Sequence, residues 1–237
     1  MLSIVVPAYN EEKRLPGTLA SMRAWLDARG ERYEIIVADD GSRDATAELA
    51  RAAGPNVRVV SLGVNRGKGA AVRAGVLATI GDEVLFADAD DATPIEELSK
   101  LRAHLTSGAD IAIGSRATGA DIRVRQTAIR QGMGRTFNRI VRLLVLSGLE
   151  DTQCGFKLFR GDVGRELFAQ ATIDGFAFDV EILLLAQARY KIAEVPVVWR
   201  HVDESKVSPG VDAARMLLDV VKLRMKWIRK SWTRRKP

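Results

Sequence analysis

The chain is short of the residues that would build several kinds of site. Among its 237 residues there is a single cysteine, Cys154, so no internal disulfide can form and a reducing compartment is expected. With that one thiol and only two histidines, His104 and His201, a structural zinc site is excluded in practice. Its apolar runs are far shorter than the roughly 18 residues of a membrane span. No basic segment precedes the first apolar stretch, and Glu11 and Glu12 follow soon after, so neither a signal peptide nor a transmembrane anchor is expected. There are no repeats and no low-complexity linker.

What is present describes a soluble, mixed domain. Hydrophobic residues make up 47% and charged residues 28%, enough apolar mass for a sizeable core at this length. The net charge of +6 is concentrated at one end: from Lys222 to Pro237 lie eight basic residues and no acidic one, which leaves −2 for the remainder. Such a tail suits an anionic membrane better than nucleic acid, because the rest of the chain is slightly acidic and carries no recognised nucleic-acid-binding module. No nucleic-acid partner is expected.

Apolar, β-branched runs at Leu2–Val6, Ile35–Ala38, Val57–Leu62, Val84–Ala87 and Ile111–Ile113 predict strands. Between them Leu15, Leu19, Met22 and Leu26 recur at helical spacing, and Ala45–Ala53, Gly69–Thr79 and Ile95–Leu105 also read as helices. This alternation implies an α/β domain, a mostly parallel twisted sheet with helices on both faces. The second half predicts helices at Met133–Leu146, Asp162–Ala169 and Val180–Tyr190, a strand at Glu194–Arg200, and a final helix from about Val211 to Trp232. The organisation expected is one domain over 1–209, with halves at 1–115 and 116–209, followed by a basic amphipathic helix over 210–237.

Three polar clusters fall at the carboxyl ends of predicted strands: "VPAYNEE", "ADDGSRDAT" and "FADADDATP". In open α/β sheets that rim binds ligands. Crowded carboxylates there are costly unless a cation offsets them, and a divalent metal carrying a diphosphate would do so. Asp88 and Asp90, two apart in an extended segment, point the same way. Asp91 or Thr93 is instead suited to cap a helix opening at Pro94, and Ser42 or Asp44 one that follows Gly41. "GVNRGKGAAVRAG" misses the spacing of both the nucleoside-triphosphatase and the dinucleotide glycine motifs, yet Lys68 near a helix N-terminus can meet phosphates or serve only as a surface lysine.

Taken in order, these stretches, with "GSR", "DTQCGFKLF" and "FAFDVEILLLA", closely resemble the family 2 glycosyltransferases of GT-A fold. The likeness covers nearly the whole chain. It is nearest to the polyprenyl-phosphate sugar synthases, and "DTQCGFKLF" with "DAD-x-AT" looks most like the dolichyl-phosphate glucosyltransferases. Mannosyl synthases more often carry Leu-Gln where Asp91-Ala92 stands here. The resemblance implies that Pro7, Tyr9, Glu11, Asp39 and Asp40 hold the nucleotide, and that Asp88 and Asp90 hold Mg2+ or Mn2+ on the diphosphate. Lys68 and Lys206, the latter in "ESKVS", would add positive charge around the same oxygens.

The implied reaction is inverting transfer of a hexose, glucose from UDP-glucose in the first instance, onto polyprenyl or dolichyl phosphate. A lipid phosphate is mostly ionised near neutrality, its second pKa being about 6, so no dedicated base is required. Arg116, Arg130, Arg135 and Arg139 are the acceptor candidates. Were the acceptor a hydroxyl, Asp179 or Glu181 would be the base; otherwise either caps the helix near Val180. Two further alternatives are a GDP-mannose-dependent synthase and a catalytically silent membrane-binding protein. The expected location is cytoplasmic, peripheral on the cytoplasmic face of the membrane. The last helix would provide the contact from Met225 onward, with Trp227 and Trp232 in the headgroup region, while Val211–Val221 would pack on its own domain or pair with a second copy.

Overall fold

The structure, a computed structural model, describes residues 1–117, 148–200 and 215–225. The helix expected over Met133–Leu146, both expected ends of the last helix with the tryptophans there, and the candidates Arg130, Arg135, Arg139 and Lys206 lie outside the described residues.

The first 115 residues follow the expected alternation. Strands β1 (Leu2–Ala8), β2 (Tyr33–Asp39), β3 (Val57–Ser61), β4 (Glu83–Ala87) and β5 (Ile111–Ser115) are joined by α1 (Leu15–Asp27), α2 (Thr46–Ala52), α3 (Lys68–Leu77) and α4 (Leu98–Thr106). Each residue of β1 and β2 is buried, the mark of strands covered on both faces. Residues two apart along a strand face the same layer. Ile4, Val6, Leu85 and Ala87 therefore pack with Leu15, Leu19, Met22 and Leu26 of α1 on one side. Val5, Val84 and Phe86 pack with α3 and the later helices on the other.

Four further elements complete the domain: β6 (Phe156–Arg160), α5 (Gly161–Gln170), α6 (Phe178–Gln187) and then β7 (Ile192–Pro196) supply two strands and two helices. The seven strands lie in the order β3-β2-β1-β4-β6-β5-β7. β6 is antiparallel to both β4 and β5, and the remaining pairs are parallel. The expected strand over Glu194–Arg200 therefore starts and ends earlier, since its first residues pair with Ile111–Ser115. No strand was expected at β6, where the buried Lys157 interrupts the apolar pattern. The α6 helix also begins earlier than expected, because Phe178 packs edge-on against Phe86, 5.7 Å between ring centres.

Residues 215–225 are helical, and Val220 and Leu223 sit in the α3–α5–α6 core. This part of the last helix thus packs on its own domain. Among the described residues no helix is long and apolar enough to cross a membrane.

Candidate active site

Because only β6 runs backwards, the carboxyl ends of the other strands and the amino end of β6 share one rim. A cavity of about 610 Å³ opens there, lined among others by Pro7, Tyr9, Glu11, Asp40, Lys68, Asp88 and Asp90. Seven candidates drawn from four separate stretches of sequence thus converge on one space.

Asp88 follows directly on β4. Its backbone N–H donates to the Gly155 carbonyl at 3.0 Å, which fixes the turn to the start of β6. A Cβ at Gly155 would fall 1.9 Å from Asp88 Oδ2, so glycine is needed for the carboxylate to lie where it does. Lys68, the first residue of α3, reaches Asp88 Oδ1 at 2.7 Å. Burial pushes the Lys68 ammonium down in pKa, but Asp88 and Asp179 more than offset it and the net shift is upward.

Asp90 accepts from the Ala92 N–H at 3.1 Å. Burial, then repulsion from Asp88, raises its pKa. Asp91 has φ 54°, in the left-handed region, and its Oδ1 is buried without a hydrogen-bond partner among the described residues. It does not cap the following turn: Pro94 occupies that cap, with no side-chain bond. Burial pushes the Asp91 carboxyl up to about 6, with Glu96 and Asp90 adding to it and Arg200 opposing.

The second cluster divides in two. Asp39 accepts from the Ser42 N–H at 3.1 Å and the Ser61 hydroxyl at 2.9 Å, tying β2 to β3. It does not line the cavity. Asp40 does, and accepts from the Arg66 and Gly67 N–H groups at 2.8 and 2.9 Å. It thereby shapes the loop leading to Lys68, where Gly67 has φ 114°. Burial raises the Asp40 pKa against those two bonds. Glu11 is held by Arg14 through two bonds of 2.7 and 2.8 Å, and Arg14 also lines the cavity.

Asp179 does not take the position of an available base or of a cap. Its Oδ1 lies 2.6 Å from Lys157 Nζ, and both side chains are buried. Lys157 also donates to the Cys154 carbonyl at 2.6 Å. Burial pushes Asp179 up in pKa, with Lys157 and Lys68 pulling it back. Glu181 accepts from Thr172 N–H and hydroxyl and from Ile173 N–H at 2.7 to 2.8 Å, so it secures the loop before α6. The cap of α6 is Ala177, without a side-chain bond.

Arg116 is largely committed to Asp151. Its backbone N–H, Nε and one terminal nitrogen donate to that carboxylate at 2.7 to 2.9 Å. The neighbouring Cys154 thiol is buried, and burial pushes its pKa up to about 12, which leaves no reactive thiolate.

Sequence reasoning missed Lys157 and the wall formed by Gly175 and Phe176. That wall is held by Asp174, which pairs with Arg73 at 2.5 Å and Arg66 at 3.4 Å. Only a lysine inside an otherwise apolar run signalled the first, and nothing local signalled the second.

The donor set suits a hard divalent cation. Asp88 and Asp90 both line the cavity, and the Gly155 cradle leaves room for the Asp88 carboxylate. Among the described residues no group of three such ligands occurs, so a diphosphate and water would complete the coordination.

Residues 3–168 match the family model described as glycosyl transferase family 2. The chain belongs to that family. The dolichyl-phosphate beta-glucosyltransferase of Dictyostelium discoideum is 38% identical, over 98% of this chain and 76% of the relative, and the Homo sapiens protein of the same name is 37% identical over 98% and 77%. Among solved structures, Mycobacterium tuberculosis glucosyl-3-phosphoglycerate synthase in complex with Mn2+ and UDP-glucose superposes with a TM-score of 0.71 at 23% identity, covering 94% of this chain and 78% of the other. Mannosyl-3-phosphoglycerate synthase from Rubrobacter xylanophilus gives 0.70 at 19%, over 100% and 76%. The fold of this family 2 glycosyltransferase is GT-A, as the order of its motifs implied.

Proposed function

We propose that this glycosyltransferase moves glucose from UDP-glucose onto a polyprenyl or dolichyl phosphate, with inversion, at a membrane surface. The observation that carries the choice of acceptor is the Asp179–Lys157 pair. The carboxylate that a hydroxyl acceptor would need as its base is buried and bound to an ammonium at 2.6 Å. A phosphate acceptor needs no such base, since it arrives ionised. The names of the relatives at 38% and 37% identity support the same choice of sugar and lipid.

In this reading a phosphate oxygen of the acceptor attacks the anomeric carbon as the bond from that carbon to the diphosphate oxygen breaks. Glucosyl phosphate lipid and UDP are the products. Pro7, Tyr9, Glu11 and Asp40 form the nucleotide wall, and Lys68 places an ammonium beside the diphosphate. Asp88 and Asp90 would hold Mg2+ or Mn2+, which when bound supplies Lewis-acid stabilisation of the leaving group. Arg116, fixed by Asp151, braces the acceptor side; Arg130, Arg135, Arg139 and Lys206 remain the candidates for cationic contact with the two phosphorylated partners.

The membrane part of the proposal draws on the helix at 215–225. Leu217, Leu218, Val221 and Met225 are exposed and fall within about one third of its circumference, with Arg215, Lys222 and Arg224 also exposed. Deleting Met225–Pro237, or replacing Leu218 and Val221 by Glu, should lower sedimentation with anionic vesicles several-fold and leave melting unchanged; unaltered sedimentation would remove the membrane surface from the proposal.

The deciding assay offers UDP-glucose and GDP-mannose to the chain with a short polyprenyl phosphate and Mn2+ or Mg2+. Glucosyl phosphate lipid is expected from UDP-glucose. Turnover with GDP-mannose alone, or only with a hydroxyl acceptor, would replace this reading by the mannosyl or the hydroxyl alternative.

A further inference from the structure

Lys68 and a divalent cation call on the same oxygen. The ammonium lies 2.7 Å from Asp88 Oδ1, and Asp88 is a proposed metal ligand. Both side chains are only partly buried, 24% and 31% exposed, so the contact can be exchanged without dismantling the core. Around it Asp88, Asp90 and Asp179 face Lys68 and Lys157, which leaves one formal negative charge in the cluster. Lys157 cannot be reassigned, being buried between Asp179 and the Cys154 carbonyl. Lys68 is different. It opens helix α3, whose N-terminal end favours anions, and it lines the cavity directly.

We propose that Lys68 competes with the divalent cation for Asp88, and that a nucleotide diphosphate ends the competition by giving Lys68 another anion to bind. Metal and donor then bind with positive coupling, and Lys68 is the residue that carries it. The inference rests on the reading of Asp88 as a metal ligand. Its physical basis is reciprocity: whatever the diphosphate gains by drawing Lys68 from Asp88, the metal gains as well. A metal ion by itself must displace an ammonium from a charge-assisted hydrogen bond, whereas a metal arriving with diphosphate does not. The arrangement also works against capture of a bare cation, which two carboxylates lining one cavity would otherwise favour.

The test is a Mn2+ titration of the full chain, by calorimetry or electron paramagnetic resonance, with and without UDP. Native protein should bind Mn2+ more tightly when UDP is present. Lys68→Met should tighten Mn2+ binding without UDP by about fivefold, the upper range for one partly exposed ion pair, and shrink the effect of UDP by a similar factor. Lys68→Gln should agree with it, and Lys68→Arg, which keeps the charge, should stay near the native values. Native melting of each variant qualifies it for the comparison. If neither neutral variant tightens Mn2+ binding, or both weaken it, while Asp88→Asn abolishes binding, the competition is refuted and the metal site stands. Should Asp88→Asn bind Mn2+ like the native chain, Asp88 is not a ligand, and the metal assignment falls together with the inference.

Discussion

The Lys68–Asp88 and Lys157–Asp179 pairs share a chemistry and nearly a length, 2.7 and 2.6 Å, but not an environment. The first is 24% and 31% exposed on its two side chains, the second 2% and 6%. Water and ligands can compete for an exposed ion pair, and its net worth is small. A buried pair cannot be exchanged, because separating it strands a charge in a medium that does not solvate it. The same two residue types therefore make a replaceable contact at the cavity and a fixed strut one layer behind it.

Breaking the strut should have the largest effect. Lys157→Ala leaves Asp179 unpaired in the core and should cost about 3–5 kcal/mol in a denaturant melt. Combining Lys157→Met with Asp179→Leu should recover most of that loss, because an apolar pair of similar volume needs no counter-charge. A double variant no more stable than the single one would mean that the strut is not chiefly electrostatic.

Breaking the replaceable pair should show the converse. Asp88→Ala is expected to lower metal-dependent turnover on the order of 10²–10³-fold, the range for loss of one group that stabilises developing charge. Its melting midpoint should hold within about 1 kcal/mol. Unchanged turnover would show that Asp88 does not serve the chemistry.

A third pair, Arg116–Asp151, joins a partly exposed cation to a buried carboxylate, 30% and 4% exposed, and yields the smallest change. Burial raises the Asp151 pKa, but Arg116 outweighs it and brings the carboxyl from 3.8 down to about 2. A depressed folded-state pKa gives stability that is fully present above pH 3.8 and lost as pH falls toward 2. The difference is worth about 2 kcal/mol. Asp151→Asn should flatten acid unfolding across that window; an unchanged acid limb would assign the loss to other carboxylates.

Much of the cavity lining was legible because it is local. Each acidic cluster directly follows an apolar strand, and a strand that ends at the rim delivers the next residue there, as with Ala87 and Asp88. The 4, 3, 4 spacing of Leu15, Leu19, Met22 and Leu26 reads equally directly, since all four are buried together. What escaped depends on partners distant in sequence. Lys157 looked like a break in an apolar run, and only the antiparallel register opposite Phe86 makes it a buried strand residue. Asp39 and Asp40 are neighbours of one type, yet pleating sends one carboxylate to Ser61 and the other to Gly67. Asp179 and Glu181 looked like caps because both open a helix, and their partners, Lys157 and the Thr172–Ile173 loop, are set by tertiary packing.

The reversed strand β6 also sets an order of assembly. Asp88 is synthesised well before Gly155, yet the carbonyl that orients its backbone belongs to Gly155. Until residues 156–160 arrive to fill the gap between β4 and β5, that side of β4 has no neighbour in the sheet. A chain emerging from the ribosome can thus have Pro7, Tyr9, Glu11 and Asp40 in place and still lack a finished site. Closing it waits on a long-range pairing, the slow kind of step in folding.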